Sequence, residues 1–313
     1  MTDLVVLFHP GLHSDDLASQ ERRWASDPDC APQMRHRVAF TEVLPAHLDR
    51  AGFLRSILTG SQDGPAFPAQ KHLTLPEILA HFNYACSAGA DDPFRAGRDL
   101  EACGLPGPLP GARAALEAML ARRDRKQALL LFSSGLEPAE LFAAVNRAGR
   151  AATTCIALFG APRALDKAAS PDFHKRHRLR FPALFLFPER LEARREEAPI
   201  GAMELLPTLL EILGLPPHVR KGLPAIAGES HYESLASGRA VSERLQCLWT
   251  PVAPRRVVQK GMHKLIIDEQ GLRLYRLDKD PEEGRNVLDS ERDTWRVLAD
   301  ALLAQEDRLA KGP

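Results

Sequence analysis

The chain has 313 residues, of which 44% are hydrophobic and 26% are charged, and its 41 basic residues balance its 41 acidic ones. This length and apolar content are sufficient for one large domain, or for a large domain with a small one. The balanced charge gives no reason to expect a nucleic acid or an acidic membrane as a partner. No apolar run approaches the ~20 residues that a membrane-spanning helix needs.

The start of the chain and its cysteines both bear on the compartment. The first residues carry no basic region, and the apolar run that starts at Leu4 stops at His9 and Pro10, unlike a signal peptide. The five cysteines are scattered and contain no Cys-x-x-Cys pair, which favours free thiols over a disulfide framework. We therefore expect a cytoplasmic protein.

The apolar run from Leu4 to Phe8 predicts a buried central strand. The active sites of open α/β sheets lie at the carboxyl ends of their strands, so chemistry is expected at His9 and the residues after it. Thr74 and Glu77 have the spacing of a capping box at the start of a helix. Further helices are predicted over residues 112–126, 139–147, 203–214 and 290–311, and further buried strands over residues 127–132 and 153–159.

A β-hairpin is predicted near the end of the chain. Residues 263–267 and 272–277 have strand patterns, and the polar residues 268–271 between them form the turn. Pro281 then ends the second strand, because proline cannot donate to a ladder.

This hairpin and the residues after it resemble the C-terminal signature of the type I sulfatases, a branch of the alkaline-phosphatase superfamily. There a strand carrying a lysine precedes the pattern LYDL…DP.E..N. The matching segments are Lys264-Leu265-Ile266, Leu274-Tyr275-Arg276-Leu277, Asp280-Pro281-Glu282-Glu283 and Asn286-Val287. Residues 55–60 are similar to the family's "R.SLLTG", and residues 203–216 to its "V.LVDLAPTLLDLAGLP".

The resemblance implies a fold and a division of the chain. It implies a three-layer αβα sandwich around a mixed, mostly parallel sheet, with a small C-terminal antiparallel sheet and a terminal helix. It implies a sulfatase-like α/β domain over residues 1–238 and a C-terminal subdomain over residues 239–313.

At the positions where the family's chemistry would lie, this sequence carries other residue types. The resemblance places a metal-binding aspartate where Pro10 stands, and a metal-binding aspartate and histidine where Ala161 and Pro162 stand. It places Arg50 at the nucleophile, where the family has the cysteine or serine that becomes formylglycine, and arginine has no nucleophilic oxygen. It therefore implies a degenerate member with no catalytic residue, no metal and no cofactor.

Two alternatives retain a site. A hydrolase with a rebuilt site would draw on His9, Asp15, Asp16, Cys30, His174 and His177. A metal-free anion-binding module would draw on Arg50, Arg55, His174, Lys175 and His177. Against these, Asp15 and Asp16 also fit the surface or the N-cap of a helix that begins near Leu17, and residues 172–180 and 189–197 also fit exposed, solvated segments.

Sulfate or phosphate transfer needs a cation for the oxyanions and a nucleophile close to it. We therefore expect a sulfatase-like pseudoenzyme without sulfate-ester hydrolase activity. It would act as a binding or scaffold partner, dimerising with itself or with an active relative, and would bind neither nucleic acid nor a membrane. The alternative is a divergent sulfuric-ester or phosphoric-ester hydrolase.

Overall fold

An eight-stranded mixed sheet forms the centre of the molecule. The computed structural model describes residues 2–61, 73–91, 105, 109–165, 172–188, 190–215, 228–241, 244–249 and 256–311. The strands are β1 (Asp3–Phe8), β2 (Arg37–Leu44), β3 (Ala85–Ala90), β4 (Gln127–Phe132), β5 (Thr154–Phe159), β6 (Phe181–Leu186), β7 (Arg194–Glu196) and β8 (Ile200–Gly201). Their order is β3-β4-β1-β5-β6-β2-β7, with β8 also paired to β2. Strand β6 runs antiparallel to its neighbours β5 and β2, and the other pairs are parallel.

Helices cover both faces of this sheet. Those that the structure describes are α1 (Ser14–Ser26), α2 (Ala31–Met34), α3 (Arg50–Thr59), α4 (Leu75–Ala80), α5 (Ala112–Ala121), α6 (Pro138–Arg147), α7 (Arg176–Leu179), α8 (Leu205–Ile212), α9 (Tyr232–Ala236) and α10 (Arg292–Lys311). Val6 and Phe8 face the layer that contains α3, α4, α8 and α9, whereas Val5 and Leu7 face α1, α2, α5 and α6. Every residue of β1, β4, β5 and β6 is buried, as strands between two helical layers must be.

A second, four-stranded antiparallel sheet follows. Its strands are β9 (Leu245–Trp249), β10 (Arg256–Lys260), β11 (His263–Asp268) and β12 (Gly271–Arg276), in the order β12-β11-β10-β9. Leu298 and Leu302 of α10 pack on one face. On the other face Ile266 and Tyr275 join an apolar cluster with Phe173, which lies in the segment before β6. The fold class that the resemblance implied is thus confirmed, while the boundary after residue 238 stays a prediction.

Local sequence signals matched the structure closely. The strands predicted at 127–132 and 153–159, and the hairpin of β11 and β12, are confirmed. Thr74 and Glu77 form the reciprocal capping box at the start of α4. Helix α5 ends at Ala121 rather than at residue 126, because the chain is already extended at Arg122.

Two segments expected to be solvated are exposed at many positions but contain buried residues that the sequence did not indicate. Within residues 189–197 the chain forms β7 on the edge of β2, and Glu196 is buried beside Arg194, which neutralises it. Within residues 172–180, Phe173 and Leu179 are buried because the C-terminal sheet packs over them. None of the described helices is both long enough and apolar enough to cross a bilayer.

Candidate functional site

Strands β1, β2, β4 and β5 end at the same edge of the central sheet, and antiparallel β6 begins there. We call this edge the rim. It consists of the loops that follow β1, β2, β4 and β5, which begin at His9, Pro45, Ser133 and Gly160, and of the segment before β6, which ends at Arg180. Sheets of this kind bind ligands at the carboxyl ends of their strands. The rim is therefore the candidate site.

The turn after β5 lies directly against the loop after β1. A Cβ atom at Gly160 would lie 2.3 Å from the carbonyl oxygen of Leu12 and 2.6 Å from Cδ of Pro182, so only glycine fits. Ala161 is buried in the apolar core, and its carbonyl oxygen accepts a hydrogen bond from Nδ1 of His13 at 3.3 Å. Packed backbone and an apolar side chain thus fill the place where the resemblance expects a metal-binding aspartate.

Charged side chains at the rim and at the adjoining end of β2 form a connected set of ion pairs, which we call the rim network. Its members are Asp15, Asp16, Glu42, Arg163, Arg176 and Arg180. Arg180 holds two carboxylates at once, donating from Nη1 to Glu42 and from Nη2 to Asp15. Arg176 donates from Nε to the second oxygen of Glu42 at 3.0 Å. Carboxylates from two different elements are therefore joined by arginine.

The outer part of the rim network lies on the first turn of α1. Arg163 is 3.8 Å from Asp15 and 3.6 Å from Asp16, and all three side chains are largely exposed. Asp15 and Asp16 do not cap the helix, because α1 begins at Ser14 and His13 holds the N-cap position. The N-cap interpretation is thus wrong and the surface interpretation is confirmed, with a favourable helix dipole near both carboxylates.

The inner part of the rim network is buried. Glu42 is 4% exposed, and a carboxylate in such a place requires a nearby positive charge. Burial by itself would lower the pKa of Arg180, but the carboxylates of Glu42 and then Asp15 outweigh burial and raise that pKa. The guanidinium therefore stays charged beside Glu42.

The position that the resemblance aligns with the nucleophile is the first residue of α3, Arg50. Asp49 is the N-cap and accepts a hydrogen bond from the backbone N–H of Gly52 at 2.7 Å. A Cβ atom at Gly52 would lie 2.8 Å from both Asp49 Oδ2 and His47 Cβ, so a larger residue at this position would clash with its neighbours. Arg55 lies five positions after Arg50, which places the two on different sides of the helix.

The rim residues that the structure describes do not fit a divalent cation. Such an ion takes several oxygen ligands, most of them carboxylates. Within the part of the chain that the structure describes, no three His, Cys, Asp or Glu side chains are grouped so that they could hold a metal ion. The carboxylates of Asp15 and Glu42 are engaged by arginine, and Asp49 caps a helix.

The candidate anion-binding residues of the basic segment have separate environments. His174 is buried, with its ring stacked on Tyr275 at 6.5 Å between ring centroids. Lys175 donates from Nζ to the carbonyl oxygens of Glu282 and Glu283, at 2.6 and 3.1 Å. His177 is exposed. Their role in anion binding stays a prediction.

The sulfatase-like signature of the C-terminus builds a buried connection between the two sheets. Lys264 of β11 is 0% exposed and donates from Nζ to both oxygens of Glu283, at 3.1 and 3.0 Å, and to the carbonyl oxygen of His174. Glu283 also accepts from the backbone N–H of Arg176. Asn286 accepts from the backbone N–H groups of Leu274 and Leu288 through Oδ1. These signature residues hold the fold together.

Two further candidates of the rebuilt-site alternative differ in accessibility and charge. Cys30 is fully buried against α6, and burial is the first cause that raises its pKa to about 11, so it is a neutral thiol at neutral pH. His9 is 7% exposed, and its pKa is lowered, mainly by burial. Its Nε2 lies 3.9 Å from Oε1 of Glu137, and neither ring nitrogen makes a hydrogen bond with a described residue.

Sequence reasoning did not assign Glu42, Arg163, Arg176 and Arg180 to the site. One signal was available, because Glu42 is an acidic residue directly before the apolar Val43 and Leu44 at the end of β2. A buried charge within a strand indicates a partner of opposite sign. The identity of that partner depended on the tertiary structure.

Solved structures share this fold over almost the whole chain. A sulfatase from a Bacteroides thetaiotaomicron locus for glycosaminoglycan metabolism has a TM-score of 0.71 and 11% identity, with coverage of 98% of this chain and 99% of that one. The phosphonate monoester hydrolase of Agrobacterium radiobacter has a TM-score of 0.66 and 11% identity, with coverage of 99% and 96%. An alkaline-phosphatase superfamily protein from Vibrio parahaemolyticus has a TM-score of 0.59 and 11% identity, with coverage of 94% and 88%.

These similarities concern the fold. No protein-family model matches the chain, and no curated protein matches it at the sequence level. At 11% identity these structures show that the chain shares the fold of sulfatases and of an alkaline-phosphatase superfamily protein, and they show nothing about its chemistry.

Proposed function

We propose that the protein is a sulfatase-like pseudoenzyme that does not hydrolyse sulfate esters and acts as a binding or scaffold partner. The rim network supports this proposal, because guanidinium groups hold the carboxylates of Asp15 and Glu42 at the sheet edge where ligands bind in folds of this kind, and sulfate transfer needs a cation there. Arg50, Ala161 and Pro162 offer neither a nucleophile nor metal ligands. Losing such groups together lowers a rate by many powers of ten.

Activity and metal content together test the proposal. The purified protein is assayed with an aryl sulfate and an aryl phosphate in the presence of Ca²⁺, Mg²⁺ or Mn²⁺, and its metal content is measured. We expect turnover equal to buffer and metal far below one ion per chain. Turnover that disappears in an Arg50→Ala variant, or one tightly held metal ion per chain, would contradict the proposal.

A second candidate, a hydrolase with a rebuilt site, is favoured by one observation. His9 is buried at the carboxyl end of β1, with Glu137 close to Nε2 and no hydrogen bond from a described residue on either ring nitrogen. Such a histidine can serve as a general base. Ester hydrolysis that is abolished by His9→Ala and retained in Cys30→Ala would establish this candidate.

We also propose that the protein is cytoplasmic and pairs with a second copy of itself or with an active relative. The free thiols of Cys30, Cys86, Cys155 and Cys247 support a reducing compartment, and Cys103 lies outside the described residues. Light scattering after size-exclusion chromatography tests self-association. Twice the mass of one chain is expected, and the mass of one chain would leave only the heterodimer.

A further inference from the structure

We infer that two copies of this chain pair through α6, with the two α6 helices antiparallel and related by a twofold axis. This inference rests on the self-association proposed above and adds the surface that produces it. Three observations carry it: an open groove beside α6, small side chains in the middle of the exposed face of α6, and opposite charges at the two ends of that face.

The groove lies between α5 and α6 and has a volume of about 420 Å³. Three of its lining residues, Leu116, Leu136 and Ala143, are buried and apolar. Its lining also includes charged side chains of both signs, namely Asp27, Arg113, Glu117, Glu140 and Arg147. An apolar groove with charged sides is the kind of surface that receives an amphipathic helix.

The exposed face of α6 has small residues at its centre. Glu140, Ala144 and Arg147 are four and three positions apart, so they follow one face of the helix. Glu140 and Arg147 are exposed, Ala144 is half-buried, and Ala143 beside it is buried. Because the distance between packed helices depends on the side chains at the contact, the two alanines let another helix approach closely.

The charges on this face are self-complementary. The midpoint between Glu140 and Arg147 falls between Ala143 and Ala144. A twofold axis through that midpoint places Glu140 of each copy opposite Arg147 of the other, with the alanines of the two copies in contact between them. With a rise of about 1.5 Å per residue, the two ion pairs would lie about 10 Å apart.

The present contacts of the two charges leave both able to form these pairs. The side chain of Glu140 is 48% exposed and accepts a hydrogen bond from Nη2 of Arg113 at 2.7 Å. Arg147 makes no ion pair with a residue that the structure describes. A second copy supplies the matching charges by symmetry, whereas an unrelated helix would need the same spacing of charge. Charge complementarity therefore favours a second copy as the partner.

The expected dimer is weak and reversible. A helix pair with a few flanking residues buries less than the roughly 800 Å² per partner of a standard interface. We therefore expect a dissociation constant between about 1 and 100 μM, so the average mass should rise with protein concentration.

Sedimentation velocity of the full chain, over a concentration series that spans this range, provides the test. Arg147→Glu is expected to weaken self-association by about tenfold or more, because like charges then face each other at both ends of the contact. Glu140→Arg is expected to do the same with positive charges.

A mixture of these two variants gives the sharpest result. When one copy carries Arg147→Glu and the other carries Glu140→Arg, opposite charges face each other again at both ends. The mixture should therefore associate with an affinity close to that of the wild type, although neither variant associates well alone. An interface elsewhere on the molecule does not predict this rescue.

Two further variants separate this contact from general effects of charge. Lys279→Glu makes the same change in net charge as Arg147→Glu, at an exposed turn after β12, so self-association should not change. Ala144→Gln leaves the charge unaltered but places a longer side chain at the centre of the contact, so association should weaken by about tenfold or more. The Tm of each variant verifies folding, and exposed charge changes should alter it little.

The outcomes separate this inference from the proposed function. A wild type that is monomeric at every concentration would overturn the inference and would leave an active relative as the only proposed partner. A dimer that is unaffected by Arg147→Glu and Ala144→Gln, or weakened single variants without rescue in the mixture, would overturn the inference alone. Ester hydrolysis by the purified protein would overturn the proposed function and leave the α6 contact standing. If Arg147→Glu does not fold, Ala144→Gln decides the question.

Discussion

Two buried ionisable side chains, Glu42 and Cys30, differ in charge because their neighbours differ. Glu42 is buried and has two arginine partners, whereas the thiol of Cys30 is buried near the carboxylates of Asp27 and Asp29, which raise its pKa further and keep it neutral. The difference follows from cost, because a buried carboxylate that stays ionised must be paired, while a thiol can simply keep its proton.

We predict that the protein loses stability as the pH rises above 9, partly through Cys30. Burial, and secondarily Asp27 and Asp29, raise its pKa from 9.0 to about 11. An acid with a raised folded-state pKa stabilises the fold fully below its unfolded pKa, and that contribution is lost as the pH rises from 9 through 11. Urea unfolding at about pH 8 and about pH 10 should show this loss, and Cys30→Ala should show a smaller one. An identical loss in both proteins would contradict the assignment.

At the scale of elements, the rim is shaped by how closely its loops approach. The turn after β5 touches the loop after β1 at Gly160, and the start of α3 closes around Gly52. Both glycines lie beside positions that the resemblance assigns to catalysis. Close packing there leaves no room for a side chain at either glycine.

Gly160→Ala should destabilise the protein by about 1–3 kcal/mol or more, because the new methyl group would meet the backbone oxygen of Leu12. Gly284→Ala is a suitable control, since the closest atom to its Cβ would be Oδ1 of Asp280 at 4.0 Å. Denaturant unfolding of both variants measures the difference. A Gly160→Ala variant as stable as the control would show that the two loops separate easily.

At the scale of the molecule, the small sheet and the large one are joined by charge as well as by apolar contact. Lys264 and Glu283 are both buried, and together they hold the backbone of His174 and Arg176. The C-terminal residues that resemble the sulfatase signature are therefore explained by their contacts in the assembled fold.

Lys264→Met should cost about 3–5 kcal/mol, because Glu283 would be left as a buried charge without its principal partner. The double variant Lys264→Met/Glu283→Leu should recover part of that loss, since it removes the uncompensated charge. Urea unfolding of the wild type, the single variant and the double variant forms a thermodynamic cycle. A double variant less stable than the single one would mean that Glu283 acts mainly through Arg176.

The sequence by itself determined the local elements. The buried strands, the hairpin of β11 and β12 and the capping box of Thr74 and Glu77 all followed from patterns within a few residues. Periodicity and turn chemistry act over that range, so they could be read without a structure. The family resemblance then ordered these elements into the three-layer fold, which the structure confirmed.

Only the tertiary structure decided what occupies the rim. Glu42 and Arg180 are 138 positions apart in the chain, and Asp15 and Arg180 are 165 apart, so no local pattern could pair them. Likewise, the sequence of residues 172–180 fits a solvated loop, whereas in the structure Phe173 and His174 are buried beneath the C-terminal sheet. The pairing of charges and the burial of side chains depend on contacts between segments that are distant in the sequence. Those contacts exist only in the folded chain.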